Sequence, residues 1–243
     1  MSGRVVCEGV TKTYPGAVTA LRGVDLDLPP GSATSIIGRN GAGKSTILRL
    51  VAGITSPDAG RIERSERCAS LIELSAGFDP DLTGRENLRV ALALAGGGRR
   101  DRARAEAEAL ELAGIAGAES EPTKHYSTGM LARLSLGAAV AARPDVLLID
   151  EVLAVGDLVF QRAAIRAVRD LCRAGSVLVL VTHSLQLARV ATDRAVWLDD
   201  GLVRDDGPVE RVTDEYERVL GGGLRHSAAL HTRLVGVRLA REH

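Results

Sequence analysis

A glycine-rich turn between a predicted strand and a predicted helix constrains the fold of this chain more than any other feature. The segment Ser32–Ile37 predicts a buried strand, and a helical pattern follows from Lys44 to Ala52, where Gly53 can end it. Between the two lies Gly38–Ser45, which reads GRNGAGKS and matches the pattern G-x-x-x-x-G-K-[ST]. Such a strand–turn–helix unit is typical of α/β proteins with a parallel sheet, and the sequence predicts that fold class.

The same turn predicts a phosphate-binding site. Its glycines allow backbone N–H groups to point inward around phosphate oxygens, and the start of the following helix adds partial positive charge. Lys44 supplies a full positive charge to the β- and γ-phosphates, and the Ser45 hydroxyl is placed to bind Mg²⁺. Together these groups predict that the chain binds a nucleoside triphosphate.

Apolar runs alternate with helical patterns through most of the remaining chain. They predict further parallel strands at 146–149, 177–181 and 195–198, with a helix over 161–172 among the connections. Two regions differ from this alternation of strands and helices. Residues 4–28 read as short strands and predict an antiparallel flank, whereas residues 84–142 predict an almost wholly helical region.

Within the helical region, residues 101–113 predict an alanine-rich helix that Gly114 ends. Two charged pairs, Arg102/Glu106 and Arg104/Glu108, stand at i,i+4 spacing. This spacing predicts an exposed helix face with local ion pairs rather than a functional site.

Two acidic residues follow a predicted central strand. Residues 146–149 are apolar on both faces, so Asp150 and Glu151 are expected at the carboxyl edge of the sheet, where ligands bind in such folds. We expect Asp150 to hold the metal ion or its water, and Glu151 to orient and deprotonate an attacking water. Beside a phosphate-binding turn, this chemistry is favoured over a strand-ending turn with incidental acids.

Three other segments allow both a functional and a structural interpretation. Ser127–Met130 opens an apolar predicted helix, where it can bind an anion or simply cap the helix. His183 follows the predicted strand 177–181, where it can contact a γ-phosphate or be an ordinary loop residue. Tyr14 precedes a turn, and it can stack on a base or cover the antiparallel flank.

Composition and charge exclude several classes of protein. The 31 basic and 31 acidic residues give zero formal net charge, so no basic surface favours nucleic acid. The cysteines Cys7, Cys68 and Cys172 lack metal-site spacing, which predicts buried free thiols. The start does not resemble a signal peptide, and no apolar run is long enough to span a bilayer. Work at a membrane would therefore need a membrane partner.

Taken together, these motifs resemble the ABC ATPase family over about residues 4–220. Gly38–Thr46 is similar to the Walker A motif, Tyr126–Met130 to the signature loop, and Asp150 with Glu151 to Walker B and its catalytic glutamate. In addition, Tyr14 resembles the adenine-stacking aromatic residue, Val155-Gly156-Asp157 the D-loop, and His183 the switch histidine. The resemblance implies a RecA-like parallel-sheet core with an antiparallel β flank and a helical subdomain, in one ABC ATPase domain over residues 1–220.

The resemblance also implies the roles of individual residues, with ATP and Mg²⁺ as cofactors. Nucleotide contacts are implied for Tyr14, Gly38, Asn40, Gly41, Gly43, Lys44, Ser45, Thr46, Ser127 and Gly129, metal contacts for Ser45, Asp150 and Glu73, and catalytic roles for Lys44, Glu151 and His183.

Further details resemble the exporters of O-antigen, teichoic acid and other lipid-linked polysaccharides. The segments that carry this likeness are Glu73–Pro80 (ELSAGFDP), Leu82–Asn87 (LTGREN), Tyr126–Met130 (YSTGM) and Asp150–Asp157 (DEVLAVGD). Most family members have a glutamine in the Q-loop, and Glu73 stands nearest to its place. Met130 likewise replaces the usual last glutamine of the signature. The departure at Glu73 puts a simple glutamine–Mg²⁺ contact in doubt.

The family mechanism implies a homodimer packed head to tail. Each ATP lies between the phosphate loop of one chain and Ser127 and Gly129 of the other. ATP binding closes the dimer and hydrolysis reopens it, and a membrane partner can use this cycle. A separate pair of membrane-spanning subunits would dock near Glu73–Asn87, which places the chain at the cytoplasmic face of the cell membrane.

Other functions and the end of the chain stay open at this point. An ABC importer or drug exporter would share the catalytic motifs. A soluble ABC ATPase acting on ribosomes or DNA usually has two cassettes or long coiled coils, and a small-molecule kinase does not need the signature loop and switch histidine. Residues 221–243 predict a glycine-rich linker and a basic tail, either loosely held or with a strand at 234–239 that docks elsewhere.

Overall fold

A computed structural model describes residues 3–16, 18–72, 77–95, 99–151, 153 and 156–220 of the chain. The strands are β1 Val5–Tyr14, β2 Val18–Leu28, β3 Ala33–Ile37, β4 Ala59–Arg64, β5 Cys68–Leu71, β6 Val146–Asp150, β7 Val177–Val181, β8 Arg194–Asp199 and β9 Leu202–Pro208. The helices are α1 Lys44–Ala52, α2 Gly84–Leu94, α3 Arg99–Ala113, α4 Thr128–Ala141, α5 Leu158–Arg173, α6 Leu185–Ala191 and α7 over 209–220.

A six-stranded sheet forms the centre of the fold, with the strand order β5-β6-β7-β3-β8-β9. Its first five strands are parallel, and β9 runs antiparallel to β8. All five residues of β3 and of β7 are buried, as expected for central strands covered on both faces. The α/β fold class and the predicted strands near 32–37, 146–149, 177–181 and 195–198 are confirmed.

A separate antiparallel sheet, in the order β2-β1-β4, confirms the predicted flank. Its buried residues, which include Val5, Val10 and Val24, share one core with α1 and the central sheet. The third strand, β4, is absent from the sequence prediction because three of its six residues, AGRIER, are charged and it lacks an apolar run; four of the six are exposed. Pairing with β1 makes this segment a strand.

Helices α2, α3 and α4 pack around their own core of buried side chains: Leu88, Leu92, Ala109, Ala113, Ile115, Tyr126, Leu134, Ala138 and Ala141. Gly137 of α4 lies so close to α3 that an added Cβ would be 2.4 Å from the Ala109 carbonyl oxygen. The helical prediction for 84–142 is confirmed over α2, α3 and α4, whereas 114–127 is mainly turns with a short 3-10 helix at Thr123–His125, and 96–98 lie outside the described residues.

The predicted charged face of α3 is only half right. The pair Arg104–Glu108 forms at 2.7 Å. Glu106, however, is bound by Arg85 at 2.6 Å and Arg89 at 2.8 Å, both from α2. Its side chain is only 14% exposed, so this carboxylate joins two helices instead of facing solvent with Arg102.

The three cysteines differ in how deeply they are buried. Cys7 and Cys172 are buried, as predicted, and burial raises the pKa of the Cys7 thiol to about 12. Cys68 on β5 is only partly buried. All three thiols are free, so none forms a disulfide.

Candidate active site

The predicted phosphate loop occupies residues 38–43 between β3 and α1, held tightly by neighbouring strands. Gly43 has φ of 103°, and a Cβ there would lie 2.5 Å from the Ala20 carbonyl oxygen of β2. A Cβ on Gly38 would lie 2.2 Å from the Leu198 carbonyl oxygen of β8. Only glycine fits at both points, so the loop can turn where α1 begins, with its backbone N–H groups available to phosphate.

Lys44 is the first residue of α1 and its side chain turns back over the loop. It is 6% exposed, and its ammonium donates hydrogen bonds of 2.9 Å to the carbonyl oxygens of Gly38 and of Arg39. Burial lowers the pKa of Lys44, while the nearby charges of Glu151 and Asp150 oppose that shift. The loop therefore holds a cation at the point where phosphate oxygens are expected.

Ser45 and Asp150 meet across the junction of α1 and β6. The Ser45 hydroxyl donates to Asp150 Oδ2 at 3.3 Å. Burial raises the pKa of Asp150; the Ser45 hydrogen bond opposes this shift and the Glu151 charge adds to it. A hydroxyl and a carboxylate at this distance are oxygen donors of the kind that Mg²⁺ takes, so the residues fit the implied metal.

Glu151 and His183 form a second pair at the same sheet edge. Asp150 pairs with Val181 in the parallel register of β6 and β7, which brings the residues after both strands together. His183 Nε2 lies 2.9 Å from Glu151 Oε1, and both side chains are about half exposed. Glu151 has φ of 57°, a left-handed conformation that is costly for a residue with a side chain. Its backbone N–H is held by the Val181 carbonyl oxygen at 3.0 Å.

A cleft of about 550 Å³ lies beside these groups. Its lining consists of Gly38, Arg39, Asn40, Gly41, Ala42, His183, Asp199, Asp200 and Tyr216. Sequence reasoning missed the last three. Asp199 and Asp200 could have been found, because acids after the strand 195–198 meet the rule that identified Asp150. Tyr216 comes from α7, and no local signal ties it to the loop.

Several predicted site residues stand apart from this group in the described part of the chain. Tyr14 ends β1, with the Lys12 ammonium 5.8 Å from its ring centre. Ser127 caps α4 by accepting the Met130 N–H at 3.2 Å, and Gly129 follows in the first turn. No hydrogen bond between described residues joins Tyr14, Ser127 or Gly129 to the phosphate loop. Thr46 lies in the first turn of α1.

Two parts of the expected site fall outside the described residues, namely Glu73 and Val155. The rest of the expected D-loop is described: Asp157 caps α5 by accepting the Phe160 N–H at 2.9 Å. Its other carboxylate oxygen accepts from Arg133 of α4, also at 2.9 Å. The start of α5 is thereby bonded to the helix that follows the signature loop.

Comparison with known proteins agrees with this geometry. The sequence model of the ABC transporter family matches residues 21–154. The chain belongs to the ABC transporter family. This ABC cassette is 38% identical, over 201 residues, to an O-antigen export system ATP-binding protein of Klebsiella pneumoniae, covering 83% of the cassette and 82% of the relative.

Two longer relatives also match. An O-antigen export system ATP-binding protein of Myxococcus xanthus is 41% identical over 87% of this cassette, which spans 48% of that relative. A teichoic acids export ATP-binding protein of Listeria innocua is 34% identical over 82% of the cassette, which spans 59% of it. The cassette thus covers only about half the length of these two proteins.

Solved structures confirm the ABC ATPase fold. A dimeric post-hydrolysis state of an ATP-binding cassette bound to ADP and Pi superposes with a TM-score of 0.74 at 23% identity, over 84% of this chain and 98% of that one. An ATP-binding subunit of an ABC transporter gives a TM-score of 0.78, also at 23% identity, over 89% and 93% of the two chains.

Proposed function

We propose that this ABC cassette is the ATP-hydrolysing subunit of an exporter of lipid-linked polysaccharide, of the O-antigen or teichoic-acid type, acting through a separate membrane subunit. The observation that carries the enzymatic part is the alignment of Lys44, the Ser45–Asp150 pair and the Glu151–His183 pair along one sheet edge. The names of relatives at 34 to 41% identity support polysaccharide as the cargo.

In hydrolysis, each side chain would do one job. The Lys44 ammonium would give up its hydrogen bonds to the loop carbonyl oxygens and donate to the β- and γ-phosphate oxygens instead. Ser45 and Asp150 hold Mg²⁺, which when bound neutralises charge on the phosphates. Glu151 accepts a proton from the attacking water. His183, 2.9 Å from this carboxylate, keeps it oriented and lies beside the same cleft as the phosphate loop.

A second copy of the chain would complete the nucleotide site. Ser127 is exposed at the start of α4, and within the described chain its side-chain hydrogen bond is to Met130 of its own helix. The free outer surface of this helix start can therefore meet the ATP held by another chain. The dimeric state of the structurally similar cassette supports this arrangement.

The membrane partner would dock near residues 73–87 and hold the cassette at the cytoplasmic face of the cell membrane. Among the residues that the structure describes, every helix falls short of the length and apolarity needed to cross a bilayer. We assign residues 1–220 to the ATPase domain and 221–243, which lie outside the described residues, to a linker and tail.

Affinity capture from native membranes tests this proposal. Tagged Glu151→Gln protein, which should bind ATP without turning it over, is recovered with ATP after solubilisation, beside a matched Lys44→Ala/Glu151→Gln control. We expect a stoichiometric polytopic membrane protein and a lipid-linked glycan with the first variant, and less of both with the control. Recovery of ribosomes or DNA-bound proteins without a membrane subunit would contradict the proposed role in export, although not the ABC family.

A further inference from the structure

The side chain of Asn87 lies buried at a junction of three segments, apart from the residues that surround the phosphate loop. Asn87 is 2% exposed in the first turn of α2. Its amide nitrogen donates to the Asp79 carbonyl oxygen at 2.8 Å and lies 3.2 Å from the carbonyl oxygens of both Leu82 and Thr83. Its oxygen accepts the Asp79 N–H at 2.7 Å. The loop 77–83 is therefore wrapped around one amide group.

Thr123 joins this junction from the short 3-10 helix. It is 3% exposed, and its hydroxyl donates to the Asp79 carbonyl oxygen at 2.9 Å and accepts from Asn87 at 3.2 Å. The Thr123 backbone N–H donates to the Leu82 carbonyl oxygen at 2.9 Å. The next backbone N–H, that of Lys124, donates to the Pro80 carbonyl oxygen at 3.0 Å. Buried and multiply bonded polar groups of this kind hold their segments as one rigid unit.

The rigid unit ends directly at the signature loop. Tyr126 follows the 3-10 helix and precedes Ser127, and its hydroxyl donates to the Ala118 carbonyl oxygen at 2.5 Å. Its hydroxyl also lies against Gly84, where an added Cβ would be 2.2 Å from the oxygen. The place of Ser127 thus depends on the loop 77–83, which lies within the region 73–87 where the membrane subunit is proposed to dock.

We propose that Asn87 and Thr123 are positioning residues that set Ser127 against the nucleotide of the partner chain, and that movement of loop 77–83 reaches the signature loop through them. This inference rests on the proposed head-to-tail dimer. Neither residue touches the phosphate loop, so weakening the junction should impair dimer closure around ATP and leave nucleotide binding by the single chain intact.

The test uses the full chain carrying Glu151→Gln. Sedimentation velocity measures its ATP-driven dimerisation. A fluorescent ATP analogue measures nucleotide binding at protein concentrations low enough to keep the chain monomeric. Thr123→Val keeps the side-chain shape and removes both hydroxyl bonds, whereas Thr123→Ser keeps the hydroxyl. We expect Thr123→Val to need about fivefold more ATP for half-maximal dimerisation, with monomer binding unchanged, and Thr123→Ser to match the parent.

The outcomes distinguish an error in the positioning role from an error in the proposed dimer. An unchanged ATP requirement in Thr123→Val would overturn the positioning role, and so would an equal loss of monomer binding, which a merely structural role would produce. If Thr123→Val does not fold, Thr123→Ala, which also removes both hydroxyl bonds, takes its place with the same expectation. Failure of the Glu151→Gln parent itself to dimerise would instead refute the proposed dimer on which the inference rests.

Discussion

At the scale of single residues, Glu151 combines the features that a general base requires. Its carboxylate is half exposed, and His183, which lines the cleft beside the phosphate loop, lies 2.9 Å away. Its backbone is held by β7 despite a left-handed φ of 57°. Strained backbone of this kind persists where neighbouring contacts enforce it, often at functional sites. The sheet therefore fixes the backbone of Glu151, and His183 contacts its carboxylate.

We expect Glu151→Gln to bind ATP as the unchanged chain does and to hydrolyse it at least about 100-fold more slowly, because an amide cannot accept the proton of the attacking water. Phosphate release at steady state measures this rate. Glu66→Gln, an exposed carboxylate before β5, is the matched control and should leave the rate unchanged. Undiminished hydrolysis by Glu151→Gln would remove Glu151 from its assigned role.

Between elements, the phosphate loop depends on close approach of β2 to the start of α1. We expect Gly43→Ala to lower the free energy of unfolding by about 3 kcal/mol, since it adds both left-handed strain and overlap with the Ala20 carbonyl oxygen at 2.5 Å. Gly41→Ala meets no atom within 4 Å and should cost only about 1 kcal/mol of strain. Urea unfolding distinguishes the two, and equal losses would contradict the packing argument.

The contact between α2 and α3 depends on the ion pairs of Glu106. Burial by itself would raise the pKa of Glu106. The hydrogen bonds from Arg89 and Arg85 outweigh this effect, so the pKa of Glu106 lies below its ordinary value. A depressed carboxyl pKa stabilises the fold above the unfolded value of about 4.3, and that stability is lost as pH falls through the folded pKa.

We therefore expect Glu106→Gln to lower the free energy of unfolding by about 1 kcal/mol at pH 7, with the loss constant down to about pH 5 and shrinking below about pH 4.3. Chemical denaturation at several pH values measures it. The control is Glu108→Gln, whose more exposed pair with Arg104 is screened by water, so its loss should be smaller. If the loss of stability in Glu106→Gln grew as the pH fell, the lowered pKa assigned to Glu106 would be contradicted.

At the scale of the whole molecule, α7 closes one side of the central sheet. Val209 and Val212 are 1% and 0% exposed, and they pack with Ile37 and Trp197. Tyr216 meets the Trp197 ring edge-on at 5.1 Å and also lines the cleft beside the phosphate loop. The helix therefore packs as part of the same core as the central sheet, and we propose that the domain boundary follows it.

We expect a chain that ends at Leu220 to unfold at the same urea concentration as the full chain. A chain that ends at Pro208 should lose about 3 kcal/mol or more, because two buried valines and the Tyr216 contact go with α7. Equal stability of the two truncated chains would contradict the boundary. Polysaccharide export by cells that carry the first truncation tests whether residues 221–243 are needed.

The sequence alone determined the parts of this protein that depend on local spacing. The turn from Gly38 to Ser45 is recognisable because strand, glycines, lysine and helix are consecutive. The places of Asp150 and His183 follow from a general property of parallel sheets, that residues after neighbouring strands meet at one edge. These rules supplied the fold class and the places of Asp150, Glu151 and His183, but not those of Asp199, Asp200 and Tyr216 beside the phosphate loop.

Only the tertiary structure decided the features that join distant segments. Strand β4 exists because β1 pairs with it, and Glu106 faces two arginines because α2 lies against α3. Asn87 and Thr123 stand 36 positions apart, and their hydrogen bond has no trace in local periodicity. Burial sets the worth of such polar contacts, and burial is a property of the packed molecule rather than of any segment.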